Sequence, residues 1–434
     1  MKNITTLLSF CFLLFIYSCA SDQSKMSKDL ANKIQNDAKI TTVEKMAEDL
    51  VKTGLTAGDG YVEVWIRDLN SFVELACHVG DTEKIKDALI TFLKFQAKDG
   101  NIPDGYTTLN TSSIPYQFIT SEYESNLVAH KNTVETDQES SLIQAIYKYI
   151  HATKDISILD EKVGDRTVEE RMGYAMRYLL NHRYSEKYGL LWGATTSDWG
   201  DVQPEHEWGV YLDSLSHLSI DIYDNAMFII AMNNFVEISR NKEEIEYWKN
   251  KSKEVRENTR KHLWDENKKK FIPHIYLDKS PFPSDFDEDA IHYHGGTTMA
   301  IEAELLTKEE ILIVYNQMQQ NVKDANAQSI GLTVYPAYPN GYFKNRGMGE
   351  YQYQNGGDWT WFGGRTIQQL IKNGMYEEAY ESIVPMLELP IRNNGFYEWW
   401  SLSGEPRGSG SFRGAAGVLW KSIQMFREHM PESN

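Results

Sequence analysis

The chain has 434 residues, 41% of them hydrophobic and 24% charged, the balance of a folded globular protein rather than a disordered one. Its formal net charge is −18, with no basic block, which argues against nucleic acid or other polyanions as partners. Only three cysteines occur, too few for a disulfide framework or a cysteine-built metal site, so a large core must supply the stability.

In chain order, residues 1–18 come first and read as separate from the fold. Lys2 supplies a positive charge, and residues 7–16 are an apolar run too short to cross a bilayer as a stable helix. Ser18-Cys19-Ala20 follows. A short apolar segment, a small residue and then Cys resemble a bacterial lipoprotein signal, which implies lipidation of Cys19 and export to a bacterial membrane, the outer membrane first. An ordinary signal peptide cut elsewhere is the alternative. Residues 19–30 are then expected to be a flexible tether, and residues 31–434 a single catalytic domain. Cys11 lies in the signal and Cys19 at the anchor, leaving Cys77 alone in the mature protein. No later segment is apolar enough to span a membrane.

Apolar residues at i, i+3, i+4, i+7 spacing predict helices at 42–52, 69–79, 82–95, 139–153, 167–181, 222–240, 242–262, 297–305, 308–319, 365–372, 376–387 and 413–427. Met227, Ile230, Met232 and Phe235 are apolar positions of one of them. Asp81-Thr82 before Glu83, and Thr307 before Glu309, are helix-start signals. Strand signals are few: 270–276 and 333–338 read as short strands or extended loops. About twelve helices predict an all-α toroid of six hairpins, an (α/α)6 barrel. Five long connections, 100–121, 184–217, 279–296, 340–364 and 392–411, carry Gly, Pro, Trp and Asp. Loops of that length are uncommon unless functional, and in a barrel of hairpins they gather at one rim.

Trp and Tyr are abundant, at 11 and 25, and aromatic rings beside carboxylates and amides suit sugars: the ring stacks on the C–H face and polar groups take the hydroxyls. Six segments are rich in such residues. Tyr61-Val-Glu63-Val-Trp65-Ile-Arg67-Asp68 ends in an Arg-Asp pair able to grip neighbouring hydroxyls; a cap or salt bridge is the bland alternative. Asp99 to Tyr106 is a Gly/Pro loop, and 132–138, before a helix, contains Asp137, a helix cap or a sugar contact. Between 189 and 208, Asp198 and Asp201 bracket Trp199. An aromatic wall is one way to desolvate an acid and keep it protonated. Tyr353-Gln354-Asn355-Gly356-Gly357-Asp358-Trp359-Thr360-Trp361 precedes a helix, and Asn394 to Phe412 contains Glu398 between Tyr397 and Trp399-Trp400.

Together these segments resemble the six-hairpin glycosidases of the glucoamylase, trehalase and glycogen-debranching type. The likeness is carried by Trp65-Ile-Arg67-Asp68, the Trp-Asp loop at 198–201, the Asn-Gly-Gly-x-Trp segment at 355–359, similar to that of neutral invertases, and the aromatic-Glu-aromatic loop at 397–399. On this resemblance Arg67 and Asp68 bind substrate; Trp65, Trp199, Asn355, Asp358, Trp359, Trp361 and Trp399 join them as candidate substrate contacts, and Asp137 is a helix cap or a further sugar contact. The resemblance also implies an Asp general acid, Asp201 first and Asp198 second, and Glu398 as general base. Carboxyl groups on opposite sugar faces give inverting hydrolysis, and long rim loops suggest exo action on a short oligosaccharide. No cofactor or metal is required; His292 and His294 near Asp285, Asp287 and Asp289 lack a clearly placed third ligand. Two rivals stand beside this reading. One is a phosphorylase, epimerase or lyase on the same scaffold, and the other is a lipid-anchored carbohydrate-binding protein.

Overall fold

The structure, a computed structural model, describes residues 25–109, 111 and 117–431; the expected signal at 1–18 and Cys19 lie outside the described residues. Its helices are α1 (Lys28–Asn36), α2 (Ala38–Val51), α3 (Ile66–Val79), α4 (Thr82–Lys94), α5 (Gln138–Thr153), α6 (Val168–His182), α7 (Ile222–Ile238), α8 (Lys242–Leu263), α9 (His294–Glu302), α10 (Lys308–Asp324), α11 (Thr360–Lys372), α12 (Tyr376–Asn393) and α13 (Arg413–Glu428). Each of the twelve periodic segments forms a helix, with ends shifted by up to six residues. Capping fixes several starts: Asp81 accepts from the Glu83 N–H, and Thr307 forms a reciprocal capping box. The partner in that box is Glu310 rather than Glu309, because the third helical position reaches back to the cap.

Six helices form a closed inner ring. α3 packs on α5, α5 on α7, α7 on α9, α9 on α11, α11 on α13, and α13 returns to α3. The alternate helices α2, α4, α6, α8, α10 and α12 stand outside and complete an (α/α)6 barrel. The two rings differ as burial demands. α7 is buried on nearly every side from Ile222 to Met232, whereas α8 buries only a stripe of Trp248, Ser252, Val255, Thr259 and Leu263. Among the described residues, no helix is long and apolar enough to cross a membrane.

Two expectations change. Residues 25–30 are folded rather than a tether: Met26 and Leu30 are buried, and Ser27 Oγ accepts from the Leu30 N–H to cap α1. The 100–121 connection is partly a sheet in which Val64–Trp65, Gly105–Thr108, Glu124–His130 and Ile119–Ser121 pair antiparallel in that order. Strands as short as Val64–Trp65 and Ile119–Ser121 carry no readable alternation. A Cβ on Gly105 would lie 2.6 Å from Trp65 Cε3, so glycine allows the sheet to close against that indole.

Candidate active site

Each hairpin returns its chain to the same rim, so the starts of inner helices meet there. Arg67 and Asp68 open α3, Gln138 opens α5, Trp361 lies in the first turn of α11, and Phe412 precedes α13. With the rim loops they enclose a deep chamber of about 720 Å³, within the range of small-molecule sites. A second, outer chamber of about 880 Å³ adjoins it, and Tyr61, Trp208, Tyr353 and Glu398 line both. Of the residues singled out in the sequence, Trp65, Arg67, Asp68, Trp199, Asp201, Trp359, Trp361 and Glu398 wall the deep chamber, and Trp399 the outer one. The 279–296 connection contributes nothing to the deep wall. Its Glu288 is instead a brace, accepting from Tyr276 and Tyr338 and pairing with His274.

Glu398 sits in a hairpin formed by Tyr397–Trp400 and Pro406–Gly410, where the sequence suggested an open loop. The Ser409 N–H donates to its Oε2 at 2.8 Å, and the Tyr61 hydroxyl to its Oε1 at 3.2 Å. Gly408 has φ +68°, and a Cβ there would lie 2.4 Å from Oε2; this turn requires glycine both for its backbone and for the space beside the carboxylate. Burial raises the Glu398 carboxyl to about 7 despite those two donors, with the Asp201 charge adding to the rise. Asp68 also rises to about 7, first by burial and then through the Glu398 charge.

Asp201 is held by one side chain: Gln354 Nε2 donates to its Oδ1 at 2.7 Å, while Gln354 Oε1 accepts from its backbone N–H at 3.2 Å. Gln354 in turn fixes the loop through its carbonyl, which accepts from Ser197 Oγ at 3.2 Å. The loop holding Asp201 and the segment before α11 are thus clamped across the chamber. Trp199 packs edge-on against Trp359 and Trp361, with ring centroids 4.6 and 5.3 Å apart. The Trp361 indole N–H meets Ser71 Oγ.

Arg67 is the chamber's cation. Its Nε and Nη2 donate to Asp137 at 2.9 and 3.1 Å, and its Nη2 to Glu135 at 2.9 Å. Trp199, Tyr223 and Trp361 surround the guanidinium at 5.7, 5.9 and 6.0 Å. Burial acts to lower its pKa, but the Asp137 and Glu135 charges outweigh it and hold it well above the ordinary value. Asp104 and Glu135, also on this wall, are both raised by burial.

Four expected contacts do not reach the chamber. Asp198 is buried behind it at φ +56°, and its carboxylate accepts from the Gly296 N–H at 2.9 Å. That is a tie to the start of α9, possible because Cβ atoms on Gly295 or Gly296 would lie 2.7 Å from its oxygens. Asp137 is fully buried behind Arg67 and also accepts from the Tyr223 hydroxyl at 2.8 Å; it positions the arginine. Asn355 is fully buried and ties Tyr338, Met348 and Gly349 backbone together. Asp358 is fully buried and accepts from the Ser329 N–H and hydroxyl at 2.9 and 2.6 Å. Each is already satisfied by protein partners: Asn355 and Asp358 by the Tyr338, Met348, Gly349 and Ser329 segments, Asp198 by the start of α9, and Asp137 by the Arg67 and Tyr223 side chains. His294 likewise uses both ring nitrogens, toward Leu332 O at 2.8 Å and Asn321 Nδ2 at 2.9 Å.

The wall also holds residues the sequence did not single out: Tyr61, Asp104, Glu135, Gln138, Trp208, Tyr211, Tyr353 and Gln354. All but Tyr211 lie inside a segment noticed in the sequence, where none was given a role of its own. The usable signal was the density of Tyr, Gln and carboxylates around each motif.

A family model and solved structures agree with the fold. The model for the catalytic domain of the glycosyl hydrolase 94 superfamily matches residues 15–357, a span that stops before Glu398. Among solved structures, the GH63 mannosylglycerate hydrolase from Thermus thermophilus in complex with glucose is 14% identical at a TM-score of 0.62, covering 87% of this chain and 99% of that one. The rhamnosidase from Klebsiella oxytoca with rhamnose bound is 12% identical at a TM-score of 0.57, covering 90% of this chain and 64% of that one. The GH78 rhamnosidase of a Bacillus species is 13% identical at 0.58, covering 89% of this chain and 34% of its own length. No curated protein matches the sequence. The match over most of the chain shows the family, and the chain belongs to the glycosyl hydrolase 94 superfamily as a glycoside hydrolase built on an (α/α)6 barrel.

Proposed function

We propose that this glycoside hydrolase inverts the anomeric centre and acts from the chain end on a short oligosaccharide, with Asp201 as general acid and Glu398 as general base. The observation that carries the reading is the pair of carboxylates on the wall of one aromatic chamber, brought there from residues nearly two hundred positions apart. Asp201 gives its proton to the glycosidic oxygen as the bond from C1 to that oxygen breaks. Water attacks C1 from the opposite face, and its proton passes to Glu398. The two carboxyls must then stand roughly 6.5–9.5 Å apart, leaving room for the water. A base with a pKa of about 7 is matched to this task at neutral pH. Tyr61 and Ser409 each engage one Glu398 oxygen, which fixes the carboxylate and leaves acceptor capacity for water.

Phosphorolysis would need a cationic pocket beside the acid. Among the described residues, Arg67 is the one cation on the deep wall, and Asp137 and Glu135 already neutralise it. The test is a panel of α- and β-linked disaccharides followed by NMR, with and without inorganic phosphate. Asp201→Asn, Asp198→Asn and Glu398→Gln are run beside the parent. The expected first product has the anomeric configuration opposite to the substrate, and phosphate neither speeds release nor yields a sugar phosphate. Asp201→Asn loses turnover, while Asp198→Asn loses mainly stability. Retention of configuration, or equal loss of turnover in Asp198→Asn, would overturn the assignment.

The apolar run at 7–16 followed by Ser18-Cys19 supports a second proposal, that the enzyme is exported and tethered to a bacterial membrane through a lipid on Cys19. Cys19→Ala is expected to move the protein from the detergent phase to the aqueous phase on phase partitioning. No change on substitution would remove the anchor.

A further inference from the structure

The rim loop after Asp201 is pinned along its length. The Thr133 N–H donates to Val210 O at 2.7 Å, and the Leu212 N–H to Thr133 Oγ1 at 2.8 Å. Gln203 Nε2 reaches Tyr211 O at 3.2 Å, the Lys344 N–H reaches Pro204 O at 3.0 Å, and the His217 ring pairs with Glu205. In the middle of this fixed loop Trp208 is 83% exposed, more than any other large hydrophobic side chain among the described residues. An indole left in water by a backbone already held elsewhere adds little to the loop's own folding and gives up the favourable burial of a large apolar ring. It also stands where the two chambers meet, and Gly209, Val210 and Tyr211 continue from it along the wall that carries Asp201.

The charged groups of the deep chamber are carboxyls with a single cation, Arg67. Asp68, Asp104, Glu135, Asp201 and Glu398 line the deep chamber, and Arg67 is spent on Asp137 and Glu135. Arg407 lines only the outer chamber, where it donates to its own Pro406 carbonyl at 2.9 Å and Glu350 faces the same space. An anionic group next to Asp201 would meet carboxylates with no free cation beside them. An uncharged sugar ring would meet an aromatic face suited to its C–H bonds.

We infer that Trp208 is the stacking platform of the leaving-group subsite, and that this subsite takes an uncharged sugar ring. The inference rests on the hydrolase reading: if Asp201 protonates the leaving oxygen, the departing ring lies on the Asp201 side of the chamber, beneath the 208–211 segment.

The test compares Trp208→Ala and Trp208→Phe with the parent enzyme on two substrates of the same glycone. One is a disaccharide from the panel, and the other is the glycosyl fluoride, whose leaving group has no ring. The loss in kcat/KM on the disaccharide is expected to exceed the loss on the fluoride by roughly tenfold or more, mainly through KM, and Trp208→Phe should recover most of it. A third substrate, the same disaccharide with a carboxylate on its leaving sugar, should be cleaved at least tenfold less well by the parent. Equal losses on disaccharide and fluoride would make Trp208 merely structural, and equal or faster cleavage of the carboxylate analogue would remove the charge preference; either overturns the inference. If the protein cleaves none of these, the hydrolase reading falls. Calorimetric titration with the disaccharide then decides the role of Trp208: weaker binding by Trp208→Ala supports it, and unchanged or absent binding overturns it.

Discussion

Glu398→Gln is expected to lower kcat by roughly a thousandfold at neutral pH while leaving substrate binding nearly intact, since the amide keeps the shape and the Ser409 contact but takes no proton from water. If Glu398 is the base proposed above, the parent enzyme should show an acid limb near its pKa of about 7, because a base works only when ionised. The limb should be absent from the residual activity of the variant. Stability is expected to run the other way. Glu398 and Asp68 have folded-state values of about 7, above their ordinary values of 4.5 and 3.8. A raised carboxyl contributes stability that is complete below its unfolded value and is lost as pH rises through 7. Thermal scans from pH 5 to pH 8 should show the parent losing stability over that window, and Glu398→Gln losing less. An unchanged acid limb in the variant's residual activity, or a variant that loses as much stability as the parent between those limits, would assign the titration to other groups. Opposed pH dependences of activity and stability fit a site whose carboxylates are kept dry for function.

Arg67→Met is expected to be the most destabilising of the substitutions considered, at about 3–5 kcal/mol. Methionine would keep an unbranched apolar stem but not the guanidinium, so Asp137, fully buried, and Glu135, 9% exposed at its side chain, would face each other without their cation. Arg67 also lowers Asp104, so the loss spreads along the wall. The denaturation midpoint measures it. Two signatures separate a lost ion pair from lost packing: the defect should shrink as pH falls and the orphaned carboxylates take up protons, and Asp137→Asn in the same chain should restore part of the midpoint. A defect independent of pH and unrelieved by the second change would mean that the stacking of Trp199, Tyr223 and Trp361 on the guanidinium dominates.

Both predictions concern residues visible in the sequence, yet what each does was visible only in part. Arg67, Asp68 and Glu398 could be picked out because charged residues set among aromatics are unusual outside a site. Asp198 and Asp201 lie three positions apart in one loop and look alike in composition. The structure separates them: the backbone at Asp198 turns through φ +56° and points its carboxylate at the start of α9, while Asp201 faces the chamber under the hold of Gln354. Such a choice depends on one dihedral and on contacts with residues about a hundred to a hundred and fifty positions away, neither of which a local pattern encodes.

The sequence by itself determined the all-α class, the number of barrel helices and the regions that reach the rim, since the 3.6-residue periodicity and the capping residues are local properties of a chain burying one face of each helix. It also determined the chemistry available there, as carboxylates, Trp and Tyr set in Gly-rich connections. Only the tertiary structure decided which of those groups share the chamber, that Asp137, Asn355 and Asp358 serve as buried ties, and that residues 25–30 join the core. It alone left Trp208 in solvent. Those outcomes depend on ring closure, which brings α13 against α3 and sets Glu398 beside Tyr61, more than three hundred residues away. Burial and charge then assign each side chain its role according to neighbours that the linear order does not name.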